Sequence, residues 1–179
     1  MRAKKITVLD EMGIKGGGLY AILPYERLDK NGKAVFKVGL ASNLRGRMEQ
    51  HHTDYPLGFY YTAILENPLL SAKLKDTAEE KKATSSLLRK VEKYIFNEIE
   101  NLGGQKIHST TRVINLNEKG EGATEWFYTN EDTIHQAFTN AFIKFGGKLD
   151  ISHLNDINKT ATQNEKRKKK YLAEIVYKL

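Results

Sequence analysis

Two strand-like runs on either side of Asn31-Gly32 constrain this chain more than any other feature. Leu19 to Tyr25 and Ala34 to Ala41 (AVFKVGLA) are rich in β-branched and aromatic residues. An Asn-Gly pair within a turn-rich stretch between such runs marks a hairpin, because both residues tolerate the backbone that closes it. Gly16-Gly17-Gly18 reads as a flexible lead into the first strand.

Beyond the hairpin the chain adds helices to that sheet. Ser42 or Asn43 can cap a short basic helix through about His52, and Leu57 to Leu65 (LGFYYTAIL) reads as a third strand closed by Asn67-Pro68. The longest helix is predicted over about Thr77 to Leu102, with Leu87, Leu88, Val91, Tyr94, Ile95, Ile99 and Leu102 at three- and four-residue steps. Gly103-Gly104 stops it. Residues 105 to 130 read as irregular, with strand-like patches at Arg112 to Leu116 and Thr124 to Thr129. A second amphipathic helix, about Asp132 to Phe145, carries Ile134, Phe138, Phe142 and Phe145 and ends at Gly146-Gly147. The expected class is α/β (α+β), a small antiparallel-centred sheet with flanking helices. The expected division is a lead-in over 1–16, a folded domain over 17–147 and a basic amphipathic C-terminal appendage over 148–179. Within the appendage, Lys166, Arg167, Lys168, Lys169 and Lys170 precede a stripe of Tyr171, Leu172, Ile175, Val176 and Leu179, a helix suited to a protein assembly partner.

Charge narrows the partners. Lys plus Arg number 29 against 22 Asp plus Glu, a net +7, which favours a polyanion because each neutralised phosphate releases counterions. Nucleic acid, DNA above all, is the expected partner. The chain has no cysteine, which excludes a disulfide framework and a thiolate zinc site. No stretch is apolar enough for a secretory signal or a membrane span, so an intracellular place (cytoplasm, nucleus or virion) is expected.

The residues that carry chemistry fall in a set order. Gly18-Leu19-Tyr20 opens the first strand and Phe36-Lys37-Val38-Gly39 lies in its partner. Arg47 comes eight residues beyond Gly39 inside the short helix, His51 one helical turn later, and Glu92 lies in the long helix. This ordered set resembles the GIY-YIG endonuclease superfamily over roughly residues 17 to 130, and Glu125-Trp126-Phe127 resembles a segment of its phage and viral branches. Lys37 stands where the second motif has tyrosine. The resemblance implies that Tyr20 and Lys37 lie near an attacking water, that Arg47 holds the scissile phosphate and that Glu92 holds one divalent metal, Mg²⁺ or a similar cation. Arginine's planar fork suits two phosphate oxygens, and one carboxylate with waters and a phosphate oxygen is an ordinary Mg²⁺ shell. Tyr20 is favoured as the base and Lys37 as a cation that orients water or stabilises phosphate. Both groups have ordinary pKa values near 10, so the base stays open between them.

The expected nucleic-acid contacts are Arg45, His51 and the run from Lys166 to Lys170. Glu98 competes with Glu92, being nearer the centre of the apolar stripe. Trp126 is expected in the core rather than as a stacking platform. The expected function is a metal-dependent endonuclease that hydrolyses DNA phosphodiesters. The alternative is a catalytically idle module of the same fold that binds nucleic acid or builds a larger assembly.

Overall fold

The computed structural model describes residues 16–24, 29–55, 59–66, 78–107 and 125–151. Among them lie six strands and three helices: β1 (Gly18–Pro24), β2 (Lys33–Ala41), α1 (Leu44–Asp54), β3 (Phe59–Glu66), α2 (Ala78–Asn101), β4 (Gln105–Ile107), β5 (Trp126–Asn130), α3 (Glu131–Phe145) and β6 (Lys148–Ile151). The strands form one sheet in the order β4-β5-β2-β1-β3-β6, antiparallel at every pairing. The α+β class read from the sequence is the observed one.

Strand alternation divides the sheet's two faces between two jobs. Leu19, Ala21 and Leu23 of β1, Ala34, Phe36 and Val38 of β2, and Ala63 and Leu65 of β3 point to one face. There they pack against Leu88, Val91, Ile95 and Ile99 of α2 and Ile134, Ala137, Phe138 and Ala141 of α3. The intervening residues Tyr20, Ile22, Ala41, Tyr61 and Ile64 form a smaller cluster on the other face, with Leu44 and Met48 of α1. A bulge makes that second cluster possible. Ala21 pairs with Ala63 but Ile22 pairs with Tyr61, so Thr62 is the extra residue of β3 and Tyr61 shares a face with Ile64.

The helices end where their sequences dictate. Asn43 caps α1 by accepting the Gly46 N–H at 3.1 Å, and Asn130 caps α3 by accepting the Thr133 N–H at 2.8 Å. Glu131 and Asp132 add negative charge to the first turn of α3, and Gly146, at φ 74°, donates its N–H to the Phe142 carbonyl at 2.8 Å.

Several expectations are corrected. Gly17 and Gly18 are buried, and their role is close approach rather than flexibility. A Cβ on Gly18 would stand 2.3 Å from the Leu65 carbonyl oxygen, and one on Gly17 2.7 Å from that of Ser42. The strand-like patch at Thr124 to Thr129 is β5, and the strand not read from the sequence is β4, which pairs with it; the patch Arg112 to Leu116 lies outside the described residues. Phe127, not Trp126, enters the core, because Phe127 pairs with Phe36 and shares its face. Phe142 is 37% exposed and Leu102 43%; Ala137 and Ala141 join the expected Ile134 and Phe138 on the core side of α3. The polar shift at Lys148 does not mark the end of the fold. Lys148–Ile151 is the strand beside β3, with Leu149 opposite Leu65, so these four residues belong to the sheet. The remaining 152–179, with the run Lys166 to Lys170, lies outside the described residues.

Candidate active site

Tyr20 occupies the middle of the α1 side of the sheet, paired in register with Gly39. Its side chain lies across that glycine. A Cβ on Gly39 would stand 2.6 Å from the Tyr20 hydroxyl and 2.8 Å from Cζ. Tyr20 is 2% exposed, and its ring is met edge-on by His51 at 5.1 Å and by Tyr61 at 6.0 Å between centroids. The cluster continues through Phe59, whose ring is 5.5 Å from that of His51 and 5.6 Å from that of Tyr61.

The charged groups arrive from three elements. Lys37 alternates with Phe36 and Val38, so it points to the Tyr20 side of β2. The sequence expectation for such a lysine is solvent, yet its side chain is only 17% exposed. The ammonium stands 3.3 Å from the Glu125 carboxylate and 5.6 Å from the centre of the Trp126 ring. Arg47, on α1, is half-buried and donates to the Gln50 side-chain oxygen at 2.7 Å. Arg45, two residues before it, is exposed.

Glu92 lies on α2 beside core residue Val91 and is half-buried. Its helix packs on the far face from Tyr20. At the end of the β2–β5 pairing the Val38 N–H donates to the Glu125 carbonyl at 2.8 Å. Glu125 acts in both directions: it pairs with Lys37 and it repels Glu92. Glu98, the competitor, accepts a hydrogen bond from Asn140 Nδ2 at 2.6 Å and so ties α2 to α3.

Burial is the largest influence on the titration of Tyr20, His51 and Glu92. Burial pushes the Tyr20 phenol up to about 12; Arg47 pulls it down, while Glu125, Tyr55 and Glu92 push it further up. Burial, then the positive charges of Lys37 and Arg47, hold His51 down at about 4, against a weak upward pull from Asp54. Burial and the neighbouring Glu125 raise the Glu92 carboxyl above its ordinary range, opposed by Arg89 and Lys106.

His51 is not where a direct nucleic-acid contact would place it. It is fully buried and neutral at physiological pH, and among the described residues neither ring nitrogen has a hydrogen-bond partner. Its Nδ1 is 3.8 Å from the Asp54 carboxylate, too long for a hydrogen bond. It backs Tyr20 from behind instead.

Two members of the site escaped the residue-by-residue reading. Tyr61 reaches the Tyr20 face only through the bulge at Thr62, which no sequence pattern announces. Glu125 was visible only as part of the Glu125-Trp126-Phe127 segment; the signal available was its place just before a strand that pairs with Lys37.

No group of three or more His, Asp or Glu side chains gathers to hold a metal among the described residues. The donor set at Glu92 is thus a lone half-buried carboxylate with a second one, Glu125, close enough to repel it. A carboxyl raised by burial and by a like charge gains from an added cation. No helix among the described residues is long and apolar enough to cross a membrane. Neither the curated proteins nor the solved structures contain a match to this chain. The T5orf172 domain matches residues 17–141, from the glycine before β1 into α3, and the chain belongs to that family.

Proposed function

We propose that this protein is a metal-dependent endonuclease of the GIY-YIG type, hydrolysing phosphodiesters of nucleic acid, with DNA as the substrate. Support comes first from the family, since the T5orf172 domain is found in nuclease-like proteins of phages and bacteria. The observation that carries the reading is the placement of Tyr20 across Gly39 on the sheet face that also carries Lys37, itself paired with Glu125 at 3.3 Å.

The roles rest on each group's chemistry. Arg47 stays charged at all working pH, and among the described residues no carboxylate lies within ion-pair distance of it. Its guanidinium is suited to grip a phosphate before and during reaction. Lys37 adds a point charge on the same side. At about 12 the Tyr20 phenol keeps its proton at neutral pH, so in the free protein it orients a water by hydrogen bonding rather than as phenolate. Arg47 is the neighbour that lowers it, and further positive charge beside it would work in the same direction. His51, neutral behind the ring, fixes its position by edge-on contact. Glu92 would hold the divalent cation, which supplies charge stabilisation at the phosphoryl and leaving oxygens.

The deciding experiment is incubation of the purified chain with supercoiled plasmid and a panel of DNA and RNA oligonucleotides, in Mg²⁺ or in EDTA. Mg²⁺-dependent cleavage by the wild type, lost in Glu92→Ala while binding persists, is the expected result. Binding with no cleavage of any substrate would instead favour the idle nucleic-acid-binding module.

A further inference from the structure

We infer that Glu125 is a positioning residue of this site: its carboxylate, with the Trp126 ring, holds the Lys37 ammonium at one place on the Tyr20 face. The catalytic consequence rests on the nuclease reading, whereas the positioning itself rests on geometry alone. A lysine stem is flexible, and an ammonium is a compact charge that helps a reaction only where negative charge develops. The structure removes that freedom in three ways. The Lys37–Glu125 pair closes at 3.3 Å, the ammonium lies 5.6 Å from the centre of the Trp126 ring, and the side chain is 17% exposed. The backbone fixes both partners relative to Lys37. Trp126 is its register partner across β2–β5, and the next residue of β2, Val38, donates its N–H to the Glu125 carbonyl at 2.8 Å.

Among the described residues, Lys37 is the cation within ion-pair distance of Glu125. Glu125 lies at the end of the β2–β5 pairing, and its side chain is 38% exposed, so it is no part of the core. Its geometry is that of a clamp. A phosphate arriving at Arg47 meets a second positive charge already in place rather than one that must be gathered from solvent.

Two measurements on the full chain test this. The first is NMR of the lysine ε-methylene signals. Held over the only tryptophan of the chain, the Lys37 signal should be displaced upfield by the indole ring current and identified by its loss in Lys37→Met. In Glu125→Gln it should return to the position of an unconstrained lysine, and in the shorter Glu125→Asp it should move part of the way, with unchanged melting temperatures. A displacement that persists in Glu125→Gln overturns the inference. The second is plasmid cleavage in a double-mutant cycle. Glu125→Gln should lower kcat by about as much as Lys37→Met, on the order of 10²-fold for a group misplaced by about 1 Å, with KM little changed. In the Lys37→Met background Glu125→Gln should cost nothing further. Losses that multiply would show Glu125 acting on its own account and overturn the inference. Should the wild type cleave nothing, the nuclease reading fails, and the NMR displacement alone decides whether Glu125 holds Lys37.

Discussion

Gly39→Ala is the substitution whose outcome the structure fixes most tightly. In an ordinary strand the change is stabilising by about 0.4–1 kcal/mol, because alanine restricts the unfolded chain. Here the new Cβ would lie 2.6 Å from the Tyr20 hydroxyl, 2.8 Å from Cζ and 3.4 Å from Cε1. A flexible side chain would swing away at little cost. Tyr20 is not free to do so, since it is 2% exposed and its ring has His51 at 5.1 Å and Tyr61 at 6.0 Å between centroids. Overpacking a rigid buried site costs about 1–3 kcal/mol, so at mid-range values, about 2 against 0.7, the clash outweighs the entropic gain and a net loss of about 1.3 kcal/mol, at most about 2.6, is expected. For a chain of this size that lowers the melting temperature by about 3–5 °C, and by no more than about 10 °C.

The assay is calorimetric melting of Gly39→Ala in two backgrounds, wild type and Tyr20→Leu. Leucine lacks the ring atoms that the new methyl would strike, so in that background the substitution should be neutral or mildly stabilising. Cleavage in the single variant should fall by on the order of 10²-fold, the effect of moving a reacting group by about 1 Å. An unchanged or raised melting temperature with Tyr20 in place would refute the placement of its ring across Gly39.

The same geometry sets four further outcomes. The unfolded chain takes up a proton at His51 below about 6.5 that the folded chain refuses until about 4; stability from this residue is therefore complete above pH 6.5 and lost as pH falls. Denaturant titrations should show about 2–3 kcal/mol less acid destabilisation between pH 7 and pH 4.5 in His51→Phe than in wild type. Glu92→Gln should raise the melting temperature at pH 7 while ending Mg²⁺-dependent cleavage, because burial and Glu125 disfavour the ionised carboxylate that glutamine replaces; at pH 4 the gain should vanish. Tyr20→Phe should leave melting nearly unchanged and reduce the cleavage rate by roughly 10²- to 10⁴-fold without weakening binding. Arg47→Ala should weaken DNA binding and flatten its dependence on salt, measured by fluorescence anisotropy across salt concentrations, with an unchanged slope ruling out its phosphate contact.

The legible part of this fold is the part set by period. β1 and β2, the cap of α1 at Asn43 and the stripes of α2 and α3 arise from alternation, capping and helical spacing, and their bounds shift by only a residue or two. Features that depend on a partner strand were not legible. β4 is three residues long, too short to establish a period, and exists because β5 lies beside it. Lys148–Ile151 is polar enough to read as a tail, yet Leu149 opposite Leu65 gives it a place at the sheet edge. Trp126 and Phe127 are equally apolar in sequence, and only the register with Lys37 and Phe36 decides which of them is buried in the core. At the site, the order of Tyr20, Lys37, Arg47 and Glu92 was readable. Hidden from it were the bulge that brings Tyr61 to Tyr20 and the pairing that brings Glu125 to Lys37.

Division of the sheet into two faces lets function and stability vary separately. Lys37 is flanked by Phe36 and Val38, and Tyr20 by Leu19 and Ala21, so each strand alternates between a residue for the core and one for the site. Charge substitutions at Lys37 and Arg47 touch only the site side and should spare the fold. Two positions break that independence. Gly39 has no side chain of its own, yet it determines where the Tyr20 ring can lie. Glu125 sits where the β2–β5 pairing ends, repels Glu92 on the α2 side and holds Lys37 on the other. Through this carboxylate the charge states of the two faces are coupled. Removing its charge should therefore ease the ionisation of Glu92 at the same time as it releases Lys37. The two effects are separable: Glu125→Gln in a Lys37→Met background should retain the first, seen as a lower apparent pKa of Glu92 by carboxyl NMR, with the second already absent. An unchanged Glu92 titration in that variant would place the two carboxylates too far apart to share the site.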